Sequence, residues 1–261
     1  MSPRVVLLLA VLALASAVVP CLAQVDDPTQ IPLEGRVYKI VDGDTVVLKG
    51  GETVRYLNID TPEVGRPYAD EAAALNRKFV KFKDVRLEID VEEHDIYGRL
   101  LAYVYVETEQ GWVMVNLELV RAGLARLLFI PPNGKYRGAF ETALQDAMIH
   151  RHGMWGSIGG VLSVADLEAK LVEYTNEVVT VQFEISSIAT DEDGETHVGP
   201  AESRYGFHVV FSPLCELPTL VAGDELTVTG ELRCKLREGP YIDVTSLDQV
   251  QTGSEILPST G

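Results

Sequence analysis

A chain of 261 residues has room for two ordinary domains, and its 46% hydrophobic and 23% charged residues exclude general disorder. Its formal charge of −17 is unevenly spread: residues 32–157 carry 16 Lys and Arg against 19 Asp and Glu (−3), and residues 163–261 carry 5 against 18 (−13). A segment that acidic repels phosphate backbones, which argues against it as the part that grips nucleic acid.

In chain order, Arg4 precedes the apolar run "VVLLLAVLALASAVV", and small residues follow at Cys21 and Ala23. This is the pattern of a secretory signal peptide, residues 1–23, so the mature chain is expected outside the cytoplasmic membrane. The run is short for a membrane span and Gln24, Asp26 and Asp27 follow at once, so no span is expected in the mature chain. Loss of the signal leaves Cys215 and Cys234, which either pair in an oxidising compartment or remain two buried thiols.

Apolar alternation and turn residues predict strands at 36–42, 45–49 and 52–60, a helix at 69–83, and strands at 85–91 and 100–106. Two more helices follow near 114–124 and 138–151. The expected fold class is mainly β with α, a small closed sheet packed by helices over residues 32–157. Glycine and serine cluster in "WGSIGGVLS", residues 155–163, and mark a boundary. Beyond it, "SVADLEAKLVEYTN" reads as an amphipathic helix with a Ser163–Asp166 cap. The strand-like runs "VTVQFEI", "FHVVF", "ELTVTGELR" and "GPYIDVTSL" give a second small β-barrel-like domain, 163–250, of OB type by strand count and spacing. "DEDGE" at 191–195 reads as a solvated turn, because Ala189 and Pro200 stand where an EF-hand needs acidic residues. Residues 251–261 read as a tail. Its "LPSTG" matches a sortase pattern without the apolar segment and basic tail that accompany it, so anchoring is not expected.

The stretch "VDGDTVVLKGGETVRYLNIDTPE" concentrates the chemistry. Asp42-Gly43 is explained by a hairpin turn, but Asp44 is not. If 45–49 and 52–60 pair, Asp44 and Asp60 project from neighbouring strand ends, where two carboxylates call for a cation; hard oxygen ligands suit Ca²⁺ or Mg²⁺. Glu63 lies just past Pro62, within reach of a metal-bound water. Arg55 and Arg99 offer planar donor forks that match phosphate oxygens. Together these groups are what attack of water on a phosphodiester requires.

With "DIYGRLLAYVYV", "VNLELVRAGLA" and "HGMWGS" following in order, the chain resembles the staphylococcal nuclease (thermonuclease) family over about 35–157. That resemblance implies a five-stranded OB-fold barrel with three helices, and a Ca²⁺-dependent endonuclease whose substrate is nucleic acid, DNA or RNA. It implies calcium ligands at Asp44, Asp60 and the main-chain carbonyl of Thr61, a general base at Glu63, a phosphate clamp of Arg55 and Arg99, and a substrate phosphate bonded by Tyr97. Against the family pattern, Ile96 replaces a phosphate-contacting lysine, and Leu128 and Ile130 replace two tyrosines that flank the bound base, with Phe129 or Tyr136 as candidate substitutes. The competing expectation is an inactive nuclease-like scaffold that binds nucleic acid or a protein partner. Such a scaffold would be expected to have lost Glu63 or an arginine, and both are present. The partner of the acidic C-terminal region stays open.

Overall fold

β-branched and aromatic residues at alternate positions build the strands, and glycine, asparagine and acidic residues let the chain turn between them. The computed structural model describes residues 31, 33–157, 160–213, 215, 217–235 and 238–252. The first set of elements comprises β1 (Glu34–Ile40), β2 (Thr45–Leu48), β3 (Thr53–Tyr56), β4 (Ile59–Asp60), α1 (Ala69–Val80) and β5 (Asp84–Glu88). β6 (Leu100–Thr108), β7 (Gly111–Met114), α2 (Val115–Arg121), β8 (Arg126–Leu127) and α3 (Arg137–Ile149) complete it. Strands β1, β2, β3, β6 and β5 pair in that circular order, with β3 and β6 parallel and the other pairs antiparallel. Val37, Val46, Val54, Leu87 and Tyr105 belong to the core, together with Leu119 of α2 and Phe140 and Leu144 of α3.

The second set comprises β9 (Leu162–Ser163), α4 (Val164–Ala169), α5 (Leu171–Tyr174), β10 (Val178–Thr190) and β11 (Thr196–Pro200). β12 (His208–Phe211), β13 (Glu225–Lys235), β14 (Gly239–Val244) and β15 (Val250–Thr252) follow. Here β10, β11, β12, β14 and β13 close a second barrel, with β12 and β14 parallel. Counting only barrel strands, both sheets run 1-2-3-5-4 and return to 1, so the protein consists of two five-stranded closed barrels of one topology. Val181, Phe183, Val209, Phe211 and Ile242 fill the second core.

The structure departs from the expected elements at points that matter for the site. The strand expected over 52–60 breaks at Leu57 and Asn58, where Asn58 takes φ 62, a conformation asparagine tolerates better than most residues. The break frees β4 to pair with β8, setting Asp60 opposite Arg126. The amphipathic segment after Ser163 has the expected cap, Ser163 Oγ accepting from the Asp166 amide at 3.1 Å, but it divides at Lys170 into two short helices. Residues 191–195 form the expected turn, here between β10 and β11. Cys215 and Cys234 are not joined. Cys215 is buried in the second core, whereas Cys234 is exposed on β13 with its Sγ 3.5 Å from Thr175 Oγ1. Residues 250–252, the first of them just ahead of the expected tail, pair with β13. The signal peptide and "LPSTG" lie outside the described residues. Among those described, no helix is long and apolar enough to cross a membrane.

Candidate active site

The turn between β1 and β2 is where the site begins. Asp42 Oδ1 accepts the Asp44 amide at 3.1 Å, and Asn76 of α1 donates from Nδ2 to the Asp42 carbonyl at 3.1 Å. Asn76 is itself held by the Tyr56 hydroxyl, which donates to its Oδ1 at 2.8 Å. Gly43 has no positive φ to explain it. A Cβ there would stand 2.6 Å from Thr61 Oγ1 and 2.7 Å from the Ala72 Cβ, so the residue is glycine because two segments pass too close for a side chain. The Asp-Gly pair thus lies in the expected hairpin turn, closed by the Val41 amide donating to the Thr45 carbonyl at 2.9 Å, with its glycine fixed by crowding.

These contacts push Asp44 inward until it is only 4% exposed. Its Oδ2 accepts the Thr61 amide at 2.7 Å and the Thr61 hydroxyl at 2.9 Å, and its Oδ1 accepts the Thr45 hydroxyl at 3.1 Å. Arg55 bridges the two aspartates, with Nε 3.2 Å from Asp44 Oδ1 and Nη2 3.1 Å from Asp60 Oδ1. Its Nη1 donates to the carbonyls of Tyr56 at 2.8 Å and Ile59 at 2.7 Å, which locks the guanidinium to the backbone where the strand breaks. Burial nevertheless pushes the Asp44 carboxyl up to about 6, more than Arg55 pulls it down.

Two carboxylates, one of them desolvated, and the carbonyl of buried Thr61 are hard oxygen donors. A divalent cation would supply the charge that burial withholds from Asp44, so the residues present fit the calcium that the sequence implies. Asp60 keeps lone pairs beyond those used by Arg55 and by Arg126, whose Nη2 lies 2.6 Å from Asp60 Oδ2.

The other expected residues are placed differently. Glu63 lies on the exposed loop after Pro62, its carbonyl accepting the Arg66 amide at 2.9 Å. Arg99 and Tyr97 sit on the loop leading into β6, which runs beside β3. Asp95 organises that loop, its Oδ1 accepting the amides of Tyr97 and Arg99 at 2.9 Å each and its Oδ2 accepting Arg99 Nε at 2.6 Å. Burial pushes the Asp95 carboxyl up, but these bonds from Arg99 and Tyr97 together hold it below its ordinary value. The Arg99 guanidinium stands 5.5 Å from the centre of the Tyr97 ring. Among the described residues, no hydrogen bond or ion pair joins Arg99, Tyr97 or the Glu63 carboxylate to the Asp44–Arg55–Asp60 cluster.

Of the candidate aromatic substitutes, neither is a free stacking face. Phe129 is buried edge-on to Phe140 with Arg137 over its ring at 4.0 Å, and the buried Tyr136 donates its hydroxyl to Glu88 at 2.9 Å. Ile96, Leu128 and Ile130 are exposed. Three contributors escaped the sequence reading. Asn76 is one polar residue on the expected helix, with nothing in the sequence to single it out, and Arg126 sits in a two-residue strand too short to show alternation. The third lies in the second barrel, where Glu231 Oε2 is 2.6 Å from Arg126 Nη1.

The sequence model of the staphylococcal nuclease homologue family matches residues 53–157. A thermonuclease of Staphylococcus intermedius is 40% identical over 128 residues, spanning 46% of this chain and 74% of that protein. A thermonuclease of Staphylococcus hyicus is 36% identical over 131 residues, 47% of this chain and 75% of its own. Endonuclease YncB of Bacillus subtilis is 37% identical over 134 residues, 47% of this chain and 62% of its own. The three relatives match just under half of the chain, and the family match falls within the first barrel and the helices packed on it.

Proposed function

The chain belongs to the staphylococcal nuclease family, and on that premise we propose that it is an exported, calcium-dependent endonuclease that hydrolyses phosphodiester bonds of DNA or RNA. The observation that carries this reading is the pair Asp44 and Asp60 held together by Arg55, with Glu63 on the exposed loop immediately beyond. Asp44, Asp60 and the Thr61 carbonyl would hold Ca²⁺, which when bound supplies positive charge beside the phosphate.

The chain's own residues then divide the work. The Glu63 carboxylate takes a proton from the attacking water, whose oxygen forms the new bond to phosphorus. Arg55 has an Nη2 hydrogen left for a phosphate oxygen once its contacts to Asp44, Asp60, Tyr56 and Ile59 are counted. Arg99 keeps its Nη groups for the same purpose, since only its Nε is taken by Asp95. Tyr97 stands ready to donate to the phosphate from an exposed position. Because Arg55 is held in place by two carbonyls and two carboxylates, its donors need little reorganisation as charge develops on the phosphate. The bond broken is the one to the 5′ oxygen, which takes a proton from solvent water and leaves as a 5′-hydroxyl, so that 3′-phosphate ends remain. Export rests on the N-terminal apolar segment.

The test is cleavage of DNA and RNA by the purified mature chain, with Ca²⁺ and with EDTA, beside Glu63→Ala. The expected result is calcium-dependent cleavage that EDTA abolishes and that Glu63→Ala lowers by roughly 10²-fold or more. No metal-dependent cleavage would sink this reading in favour of a binding scaffold.

A further inference from the structure

The second barrel places charged residues directly on the proposed cation site. Glu231 and Arg233 lie two residues apart on β13, so both side chains leave the same face, while Leu232 between them points into the second core. That face meets β4 and β8 of the first barrel. Glu231 Oε2 lies 2.6 Å from Arg126 Nη1, and the Nη2 of the same arginine lies 2.6 Å from Asp60 Oδ2. Arg233 reaches Asp60 Oδ2 with its Nη2 at 3.6 Å and is anchored by Asp243 at 3.1 Å. The pairs are mostly buried: Arg126 and Glu231 keep only 15% and 17% of their side-chain surface, so solvent screens them poorly. Arg233 thus sits among three carboxylates, with Glu231 Oε2 at 3.8 Å from its Nε beside Asp243 and Asp60. These residues also line one wall of a cavity of about 200 Å³ between the barrels, whose other walls include Phe129 and Trp155.

Asp60 is therefore shared among three guanidinium groups, Arg55, Arg126 and Arg233, two of which the second barrel controls. We propose that the second barrel tunes the cation site: Glu231, acting through Arg126, favours cation binding at Asp60, and Arg233 opposes it. The inference rests on the reading that Asp60 and Asp44 hold calcium. The physical reason is the sign of each charge. Glu231 engages one arm of Arg126 and so weakens its claim on Asp60, and its own negative charge attracts a cation nearby. Arg233 places a positive charge where it repels a cation and competes for the same oxygen. Glu231 and Arg233 are thus positioning residues, with no part in the reacting atoms.

Calcium binding to the metal-stripped full chain, measured by isothermal titration calorimetry, separates these effects. Glu231→Gln is expected to weaken binding about three- to tenfold, Arg233→Gln to tighten it by a similar factor, and Arg233→Lys to stay within about twofold of the parent chain. A role confined to docking the barrels would shift both neutralising variants in the same direction, and that result, or unchanged affinity in both, overturns the proposal. If circular dichroism shows Glu231→Gln unfolded, the Arg233→Gln and Arg233→Lys pair decides alone. If the parent chain takes up no calcium, the cofactor assignment falls and this inference with it. If it binds calcium and the variants do not split, only this inference falls.

Discussion

In both barrels the turn between the first and second strands starts with an aspartate whose Oδ1 accepts the amide two residues on, Asp42 from Asp44 at 3.1 Å and Asp191 from Asp193 at 3.0 Å. In both, that turn also meets the chain leaving the third strand: a Cβ on Gly43 would touch Thr61, and one on Gly194 would touch Pro213. The difference lies in what the two segments carry. In the first barrel the exit holds Asp60 and Thr61, and Asp44 turns in to meet Thr61 and Arg55. In the second, the exit reads "FSP" without a carboxylate, Asp193 is exposed, and the spare oxygen of Asp191 pairs with His197 at 3.1 Å. In these two barrels the topology brings the same two loops together, and residue type decides what that meeting point carries.

The largest effect expected from breaking this comparison is at Arg55, which has no counterpart between the loops of the second barrel. Arg55→Ala leaves Asp44 with an uncompensated, desolvated carboxylate beside Asp60. Removing one partner of a buried ion pair costs about 3–5 kcal/mol. Urea unfolding of the calcium-free protein should show that loss in the first barrel, while Lys235→Ala, which breaks an exposed pair with Glu238, should change little. Equal effects would mean that Arg55 is as dispensable as a surface residue.

The two turn glycines sharpen the comparison further, because they are glycine for different reasons. Gly43→Ala meets Thr61 and Ala72 below 3 Å and should cost roughly 1–3 kcal/mol through overpacking. Gly194 has φ +84, and a Cβ there would make only ordinary contact with Pro213 at 3.5 Å, so Gly194→Ala should cost roughly 1–2 kcal/mol through backbone strain instead. Asparagine separates the two causes. It tolerates a left-handed backbone and should restore much of the stability at 194, but at 43 it is larger still and should be worse than alanine. Thermal melts of the four variants check this, and rescue by asparagine at 43 would contradict the crowding argument.

Much of this was legible in the sequence, and the losses have physical causes. The β-branched and aromatic runs "LLAYVYVET" and "VTVQFEI" both lie within strands of the structure, the first buried on both faces and the second alternating from Val181 to Ile185. Asp44, Asp60 and Arg55 could be grouped because they lie on one stretch of a hairpin, where sequence distance approximates spatial distance. β4 reads as the end of one strand over 52–60 because nothing local marks the break at Leu57–Asn58. β8 was illegible because two residues carry no period, and β7 and β11 because "GWVM" and "THVGP" lack a sustained alternation. The ion-pair relay from Asp60 to Glu231 joins residues 171 positions apart, and no local pattern predicts which faces of two barrels will meet.

The smallest effect tests how the second barrel holds one of its connecting segments. Between its third and fourth strands the first barrel inserts α1, whereas the described loop residues after β12 form no helix there. Between its second and third strands, the second barrel ties the chain joining β11 and β12 to α4 through Glu168, which accepts from Ser203 Oγ at 2.6 Å, the Arg204 amide at 2.9 Å and the Tyr205 amide at 3.0 Å. Burial pushes the Glu168 carboxyl up, but these bonds from Ser203, Tyr205 and Arg204 outweigh it and hold the group below its ordinary 4.5. A carboxylate more acidic in the folded state than in the unfolded one stabilises the fold above the unfolded value, and that contribution disappears as pH falls through the folded value. Glu168→Gln should therefore destabilise the protein by about 1 kcal/mol at neutral pH, a figure already reduced for solvent screening. Well below pH 4.5 the variant and parent should converge. Urea titrations at the two pH values measure the difference, and an equal penalty at both would show that Glu168 holds the loop by packing and not by its charge.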